Sequence, residues 1–297
     1  MTAEATTLDQ SSQWADFMEL TKPRITMMVA LTTAAGFLLA SPRPLDWDLL
    51  AHTLLGTALV ASAASALNQI IERRTDARMR RTANRPIPAG RLGAEKAFAF
   101  ALVLTLAGAA YLAFAVNLLT ALVGMLTLGS YVLIYTPLKR KSSLATIVGA
   151  FPGAAPPMMG CTAATGEIGL LAWILFGILF LWQMPHFLAI AWLYRSDYER
   201  GGFPMLTLGE NSGQRTSRQM VLYAAALIPV SLLPSAFGYL GLSYFVGALI
   251  LGLAFLGYCF AFGMDQDARA ARRLLLASVV YLPVVLLLMV ADQAFRL

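Results

Sequence analysis

Nine apolar runs lie near residues 25–41, 49–67, 97–115, 118–136, 144–163, 170–192, 219–237, 243–263 and 274–292. Each approaches the roughly twenty residues that a helix needs to cross a bilayer core, and this leaves the chain few ways to fold. A bilayer offers no water to unpaired backbone groups, so only helices and closed barrels span it. The runs are long and lack strand-type alternation, which favours an all-α polytopic bundle of about nine transmembrane helices over a barrel. Composition agrees: 58% hydrophobic residues, 13% charged residues and a mean hydropathy of +0.67 exceed what a soluble domain of this length can hide in a core.

The basic residues orient the bundle. With nine spans, 20 of the 22 lysines and arginines fall on the side of the N-terminus, and only Arg43 and Arg296 fall opposite. By the positive-inside rule the N-terminus and the large polar loops are expected in the cytoplasm. The net charge of +6 is then mainly topology, with anionic lipid or substrate as secondary readings and no nucleic-acid partner expected. Residues 1–16 are polar, carry no basic residue and lack the regions of a signal peptide, so they read as a short disordered tail. Residues 17–297 read as one transmembrane domain with functional loops at 68–96 and 193–218. The absence of a transit peptide points to a bacterial inner membrane. Cys161 and Cys259 lie inside spans and read as packing residues.

The first loop, Asn68 to Pro86, carries the sharpest chemistry. Asn68, Glu72 and Asp76 recur every fourth residue, so a helix continued through them puts three oxygen-bearing side chains on one stripe, drifting about 40° and rising about 6 Å per step. Such oxygens suit a hard cation such as Mg²⁺, which shares its remaining positions with water and substrate phosphates. Arg73, Arg74, Arg78, Arg80, Arg81 and Arg85 surround the stripe. Arginines alone would satisfy the positive-inside rule, but that rule does not ask for acids at a helical period.

Two other segments carry more than one reading. Lys139, Arg140 and Lys141 follow Tyr135 and Pro137 at the end of the fourth span; they fit a clamp on a leaving diphosphate and equally fit topology signals. Beyond the sixth span, Tyr194, Asp197, Tyr198 and Glu199 precede Gly201-Gly202, either as a second acidic site or as a solvated loop. His186 sits within that apolar span, as a packing histidine or a substrate contact. His52 lies at the opposite end of the bundle and reads as structural.

The run N-x-x-x-E-x-x-x-D-x-x-M-x-R-T-x-x-R-P from Asn68 to Pro86 resembles the first acidic motif of the UbiA superfamily of intramembrane prenyltransferases, and most closely that of its haem-farnesylating branch. LTKPRI at Leu20 to Ile25, YTPLKRKS at Tyr135 to Ser142, GAFPGAAPPMMG at Gly149 to Gly160, WQMPHF with DYERGGFPML between Trp182 and Leu206, and ARRLLLASVVYLP at Ala271 to Pro283 extend the likeness over the chain from about residue 17. Glu72 stands where many members have aspartate. The second loop has a single aspartate in D-Y-x-x-x-G form, which leaves a second metal site open.

The resemblance implies a UbiA-like bundle in which farnesyl diphosphate alkylates a vinyl group of haem B and water adds to give haem O. It implies Mg²⁺ held by Asn68, Glu72, Asp76 and Asp197, and a diphosphate site built from Arg81, Arg85, Lys139 and Arg140. Tyr135, Tyr194 and His186 are candidates for the haem side, His186 as an axial ligand. The farnesyl chain is expected among the spans near Gly149 to Gly160. Haem O feeds terminal oxidases directly or through haem A synthase, so a handover partner of that kind is implied as well. Two alternatives stay open from the residues: a prenyltransferase acting on a quinone precursor or another aromatic acceptor, and a non-catalytic membrane haem carrier.

Overall fold

The computed structural model describes residues 13–208 and 213–296. Among them there is no strand. The expected tail at 1–16 falls mostly outside the described residues. Its described part, 13–16, is helical instead, because it opens a helix over 13–20 (α1) that is tied down on one side: Leu20 is fully buried, Phe17 packs on Phe100 with ring centroids 4.9 Å apart, and Asp16 pairs with Arg91 at 2.8 Å.

Nine long helices follow among the described residues, as the apolar runs predict: Pro23–Ala40 (α2), Trp47–Asp76 (α3), Ala94–Ala115 (α4), Leu118–Leu138 (α5), Ala145–Thr165 (α6), Leu170–Leu193 (α7), Gln214–Ala236 (α9), Leu242–Asp265 (α10) and Ala268–Arg296 (α11). Short α8, Arg195–Gly201, sits in the second polar loop. Eight of the nine are long and apolar enough to cross a membrane. The ninth, α6, has the length but not the apolarity, since glycine, alanine and three prolines take the place of large aliphatics.

Local chemistry sets the ends. Asp46 accepts from the Leu49 N–H at 2.8 Å to cap α3, Asn117 accepts from the Thr120 N–H at 2.8 Å to cap α5, and Pro23 opens α2. Gly166 and Gly202, both left-handed, close α6 and α8. At 30 residues α3 is about 45 Å long and outruns a bilayer core by several turns. That surplus carries Asn68, Glu72 and Asp76. In α5, residues Ser130–Tyr135 form a π turn, closed by the Thr136 N–H and Thr136 Oγ1 on the Tyr131 carbonyl.

Helix α6 is the hub, packed on α2, α3, α5 and α7; α7 in turn packs on α9 and α11, and α11 returns to α2. The α2–α6 crossing is set by glycines. A Cβ on Gly36 would lie 2.0 Å from the Pro157 carbonyl oxygen, and one on Gly160 would lie 2.0 Å from that of Thr33, so the two backbones touch. Most of α6 is buried, and Cys161 and Cys259 are buried free thiols within the packing.

Candidate active site

Helix α3 runs unbroken to Asp76, so the acidic stripe is real: Asn68, Glu72 and Asp76 are buried and line one cavity of about 270 Å³. The cavity is closed by Lys22 ahead of α2, by Arg81 and Arg85 in the loop after α3, by Tyr131, Tyr135 and Lys139 at the end of α5, and by Tyr198 in α8. Its lining includes four cations, Lys22, Arg81, Arg85 and Lys139, against two carboxylates, so it favours a polyanion.

Each residue of the stripe, the two acids and the amide, has a cationic neighbour. Arg85 Nη1 donates to Asp76 Oδ2 at 2.6 Å, Lys139 Nζ lies 3.2 Å from Glu72 Oε1, and Lys22 Nζ lies 3.5 Å from Asn68 Oδ1. Asn68 Nδ2 donates to Thr136 Oγ1 at 3.3 Å. Asp76 Oδ1 is buried with no protein partner. Burial opposes the Lys139 charge, but Tyr135 and Glu72 outweigh it and hold the amine above the ordinary lysine range. Lys22 goes the other way: burial, with Arg85 beside it, pushes its amine down to about 7.

A second, apolar chamber of about 310 Å³ adjoins the first and shares Lys22, Ile25, Tyr131, Tyr135 and Phe187 with it. Val29, Thr57, Val60, Leu128 and Met159 line its depth, and Gly149, Pro152, Gly153 and Pro156 of α6 form one wall. Gly149 leaves the space that the Tyr135 ring occupies, since a Cβ there would lie 2.5 Å from Tyr135 Cε2.

The expected site residues therefore divide. Asn68, Glu72, Asp76, Arg81, Arg85, Tyr135 and Lys139 come together. Arg140 does not; its Nη2 donates to the Ile71 carbonyl at 2.7 Å on the exposed side of α3. Tyr194 lies outside the cavity lining, beneath the Arg81 guanidinium at 5.4 Å. His186 turns toward α11, its Nδ1 2.7 Å from Ser278 Oγ and its ring stacked on Trp182, while its neighbour Phe187 faces the chambers.

Asp197 is buried beside the cavity without lining it. Burial alone would raise its carboxyl, but Arg200 and the backbone N–H groups of Arg81 and Arg80 hold it below the usual range. Among the described residues no three His, Cys, Asp or Glu side chains gather as a metal centre. Asn68 joins the carboxylates of Glu72 and Asp76 on the cavity wall. Lys22, Tyr131 and Phe187 were not singled out by sequence reasoning; the signal for Lys22 was its place in LTKPRI, one residue before the proline that starts a span.

A bundle of membrane-length helices around a buried, cation-rich, oxygen-lined cavity that opens into an apolar chamber defines an intramembrane prenyltransferase, and the chain belongs to the UbiA prenyltransferase family, whose model matches residues 29–282. Within it the chain belongs to the protoheme IX farnesyltransferases. It is 47% identical over 287 residues to the "Protoheme IX farnesyltransferase" of Solibacter usitatus (94% of this chain, 98% of that one) and 46% identical over 277 residues to that of Salinibacter ruber (93% and 98%).

Solved structures share the fold at low identity. A digeranylgeranylglyceryl phosphate synthase superposes with a TM-score of 0.80 at 15% identity, covering 94% of this chain and 98% of that one. A UbiA homolog from Archaeoglobus fulgidus bound to GPP and Mg²⁺ gives 0.64 at 11%, covering 94% and 99%.

Proposed function

We propose that the protein transfers the farnesyl group of farnesyl diphosphate to a vinyl group of haem B, with addition of water, releasing diphosphate and forming haem O. The observation that carries this reading is the joined pair of chambers: a cationic head cavity continuous with an apolar one, in a chain nearly half identical to protoheme IX farnesyltransferases. The basic residues beyond the spans support a catalytic face in the cytoplasm of a bacterial inner membrane, with a haem A synthase or terminal oxidase taking the product.

The residues fit a divalent hard cation. Asp76 presents a buried oxygen with no protein partner, and Asn68 and Glu72 supply further oxygens from the same stripe. These three would hold Mg²⁺, which when bound supplies charge neutralisation to the diphosphate oxygens. Arg81, Arg85, Lys139 and Lys22 surround the head and take up the negative charge that grows on the leaving diphosphate as the carbon–oxygen bond breaks.

Tyr131 and Tyr135 stand where the chambers meet, so the allylic cation forms against two aromatic rings whose faces attract it and shield it from water. The apolar chamber holds the farnesyl chain against α6. The vinyl group attacks the cation, and the second cation, beside the porphyrin, is captured by water, whose proton leaves to solvent.

Incubating the detergent-purified protein with haem B, farnesyl diphosphate and Mg²⁺ should yield a haem heavier by one farnesyl group plus water in mass spectra of the extracted haems. EDTA should abolish that product. A folded protein that leaves haem B untouched but prenylates an aromatic acid would overturn the assignment of the acceptor.

A further inference from the structure

The apolar chamber has a far end. Followed away from the head cavity, its lining stops at Val29 in α2, Thr57 in α3, Thr127 in α5 and Met159 in α6. Along α3, Thr57 lies about 16 Å from Asn68, at about 1.5 Å per residue. An extended carbon chain rises about 1.2 Å per bond, so the main chain of a farnesyl group spans about 13 Å and that of a geranylgeranyl group about 18 Å. The chamber is deep enough for the first and too shallow for the second.

Met159 closes that end. Its side chain is 2% exposed and crosses from α6 to α5, where it fills the hollow left by Gly124: a Cβ there would lie 3.0 Å from Met159 Cε and 3.9 Å from Sδ. Leu112 of α4 reaches the same hollow, with Cδ1 3.3 Å from that Cβ. Gly124 lies one turn beyond Leu128 and does not line the chamber. The backbone behind the methionine is held in place, because Thr162 Oγ1 donates to the Met159 carbonyl at 3.0 Å and lies 3.0 Å from Thr120 Oγ1. Asn117 Nδ2 donates to the Thr162 carbonyl at 3.0 Å, so buried hydrogen bonds tie α5 to α6 one turn past the hollow. The floor is thus a thioether arm on a fixed support.

We propose that Met159 is the stop that sets prenyl length: three isoprene units end above it, and a fourth has no room until it is removed. The proposal rests on the diphosphate reading of the head cavity given above. A methionine suits this place, since its unbranched, polarizable side chain can follow the end of an apolar chain closely. Its seat at Gly124 also gives a handle outside the chamber. A methyl group added there meets the flexible tip of Met159 first, and the tip has to move out of the hollow toward the prenyl chain.

The test uses the full chain in detergent with Mg²⁺ and three probes, geranyl, farnesyl and geranylgeranyl thiodiphosphate, whose apparent affinities are read from the rise in unfolding temperature with ligand concentration. Wild type should bind the farnesyl probe at least about tenfold more tightly than the geranylgeranyl probe, the scale on which an apolar pocket discriminates by size. Met159→Ala should remove that preference, raising the geranylgeranyl-to-farnesyl affinity ratio about tenfold or more. Gly124→Ala should act in the opposite sense, weakening the farnesyl probe about tenfold while the geranyl probe stays within about threefold of wild type.

A folded Met159→Ala protein with the wild-type ratio would overturn the proposal. Should that variant not fold, Gly124→Ala decides, and a wild-type order of the geranyl and farnesyl probes in it would overturn the proposal equally. The readout needs no acceptor. A wild-type protein that responds to none of the three probes would sink the diphosphate reading and this stop with it, whereas one that binds them in the expected order but leaves haem B unchanged would sink the acceptor alone.

Discussion

Asp76→Asn is expected to lower turnover by about a thousandfold while the protein still inserts and folds, the scale seen when a group acting on transition-state charge is removed. Asp76 ends the long helix α3 and is fully buried. One oxygen is held by Arg85 at 2.6 Å; the other has no partner. Leaving a buried acceptor unsatisfied costs about 1–3 kcal/mol, so the chain carries a penalty that a bound cation would relieve. Asparagine keeps the shape and removes the charge.

The folding effect of this change is modest by comparison, because Arg85 is 19% exposed and can turn toward water once its partner is neutral. Turnover measured by haem mass spectrometry, alongside thermal unfolding in detergent, separates the two effects. Activity within tenfold of wild type in folded Asp76→Asn would remove the acidic stripe from the mechanism.

Gly160→Ala is expected to do the opposite, abolishing folded protein without touching a reacting group. The added carbon would lie 2.0 Å from the Thr33 carbonyl oxygen and 2.5 Å from the Phe37 nitrogen. Both are backbone atoms of α2 and have no rotamer to move into. Overpacking against side chains typically costs about 1–3 kcal/mol, and a clash of backbone with Cβ belongs at or above the top of that range.

The helices would have to separate, and that would open the apolar chamber, whose walls include Val29 of α2 and Pro156 and Met159 of α6. Gly257→Ala in α10, where nothing lies within 4 Å of the new carbon, is the control and should leave the unfolding temperature unchanged or slightly raised. Equal unfolding temperatures for the two variants would show that α2 and α6 lie further apart than this packing requires.

Much of this architecture is legible in the residues because a bilayer allows so few solutions. The apolar runs give the nine long helices, and the four-residue period of Asn68, Glu72 and Asp76 gives the continued α3 and its buried face. Gly149 to Gly160 reads as a cavity wall and is one, although the helix runs through its prolines unbroken, since its neighbours bury it on most sides.

What periodicity cannot supply is direction across a loop. Arg140 and Lys139 are adjacent, yet one turns to the Ile71 carbonyl and the other to Glu72. His186 and Phe187 are adjacent on α7, and the less conspicuous residue faces the chambers. Asp197 sits among acids and aromatics beside the cavity, and only the fold shows that its side chain pairs with Arg200 outside the lining. Lys22 was hidden for another reason: a lone lysine before a span looks like a topology signal until the 46-residue separation from Asn68 is closed.

The π turn at Ser130–Tyr135 makes the chain unequally tolerant of changes in length. One residue too many for an α-helical turn is stored there, between the Asn117 cap at one end of α5 and Lys139 at the other. Deleting one residue of the six would let the turn relax to α-helix with what lies beyond it nearly in place, whereas a deletion in the regular helix before the turn would rotate everything beyond it by about 100° and slide it by about 1.5 Å relative to the upstream half. Tyr135 would leave the hollow at Gly149, and Lys139 would leave Glu72. Chains of this kind can therefore lengthen or shorten at outer loops such as 238–241 and lose a residue at the π turn, while the regular part of α5 behaves as a fixed spacer whose residue count matters more than its letters.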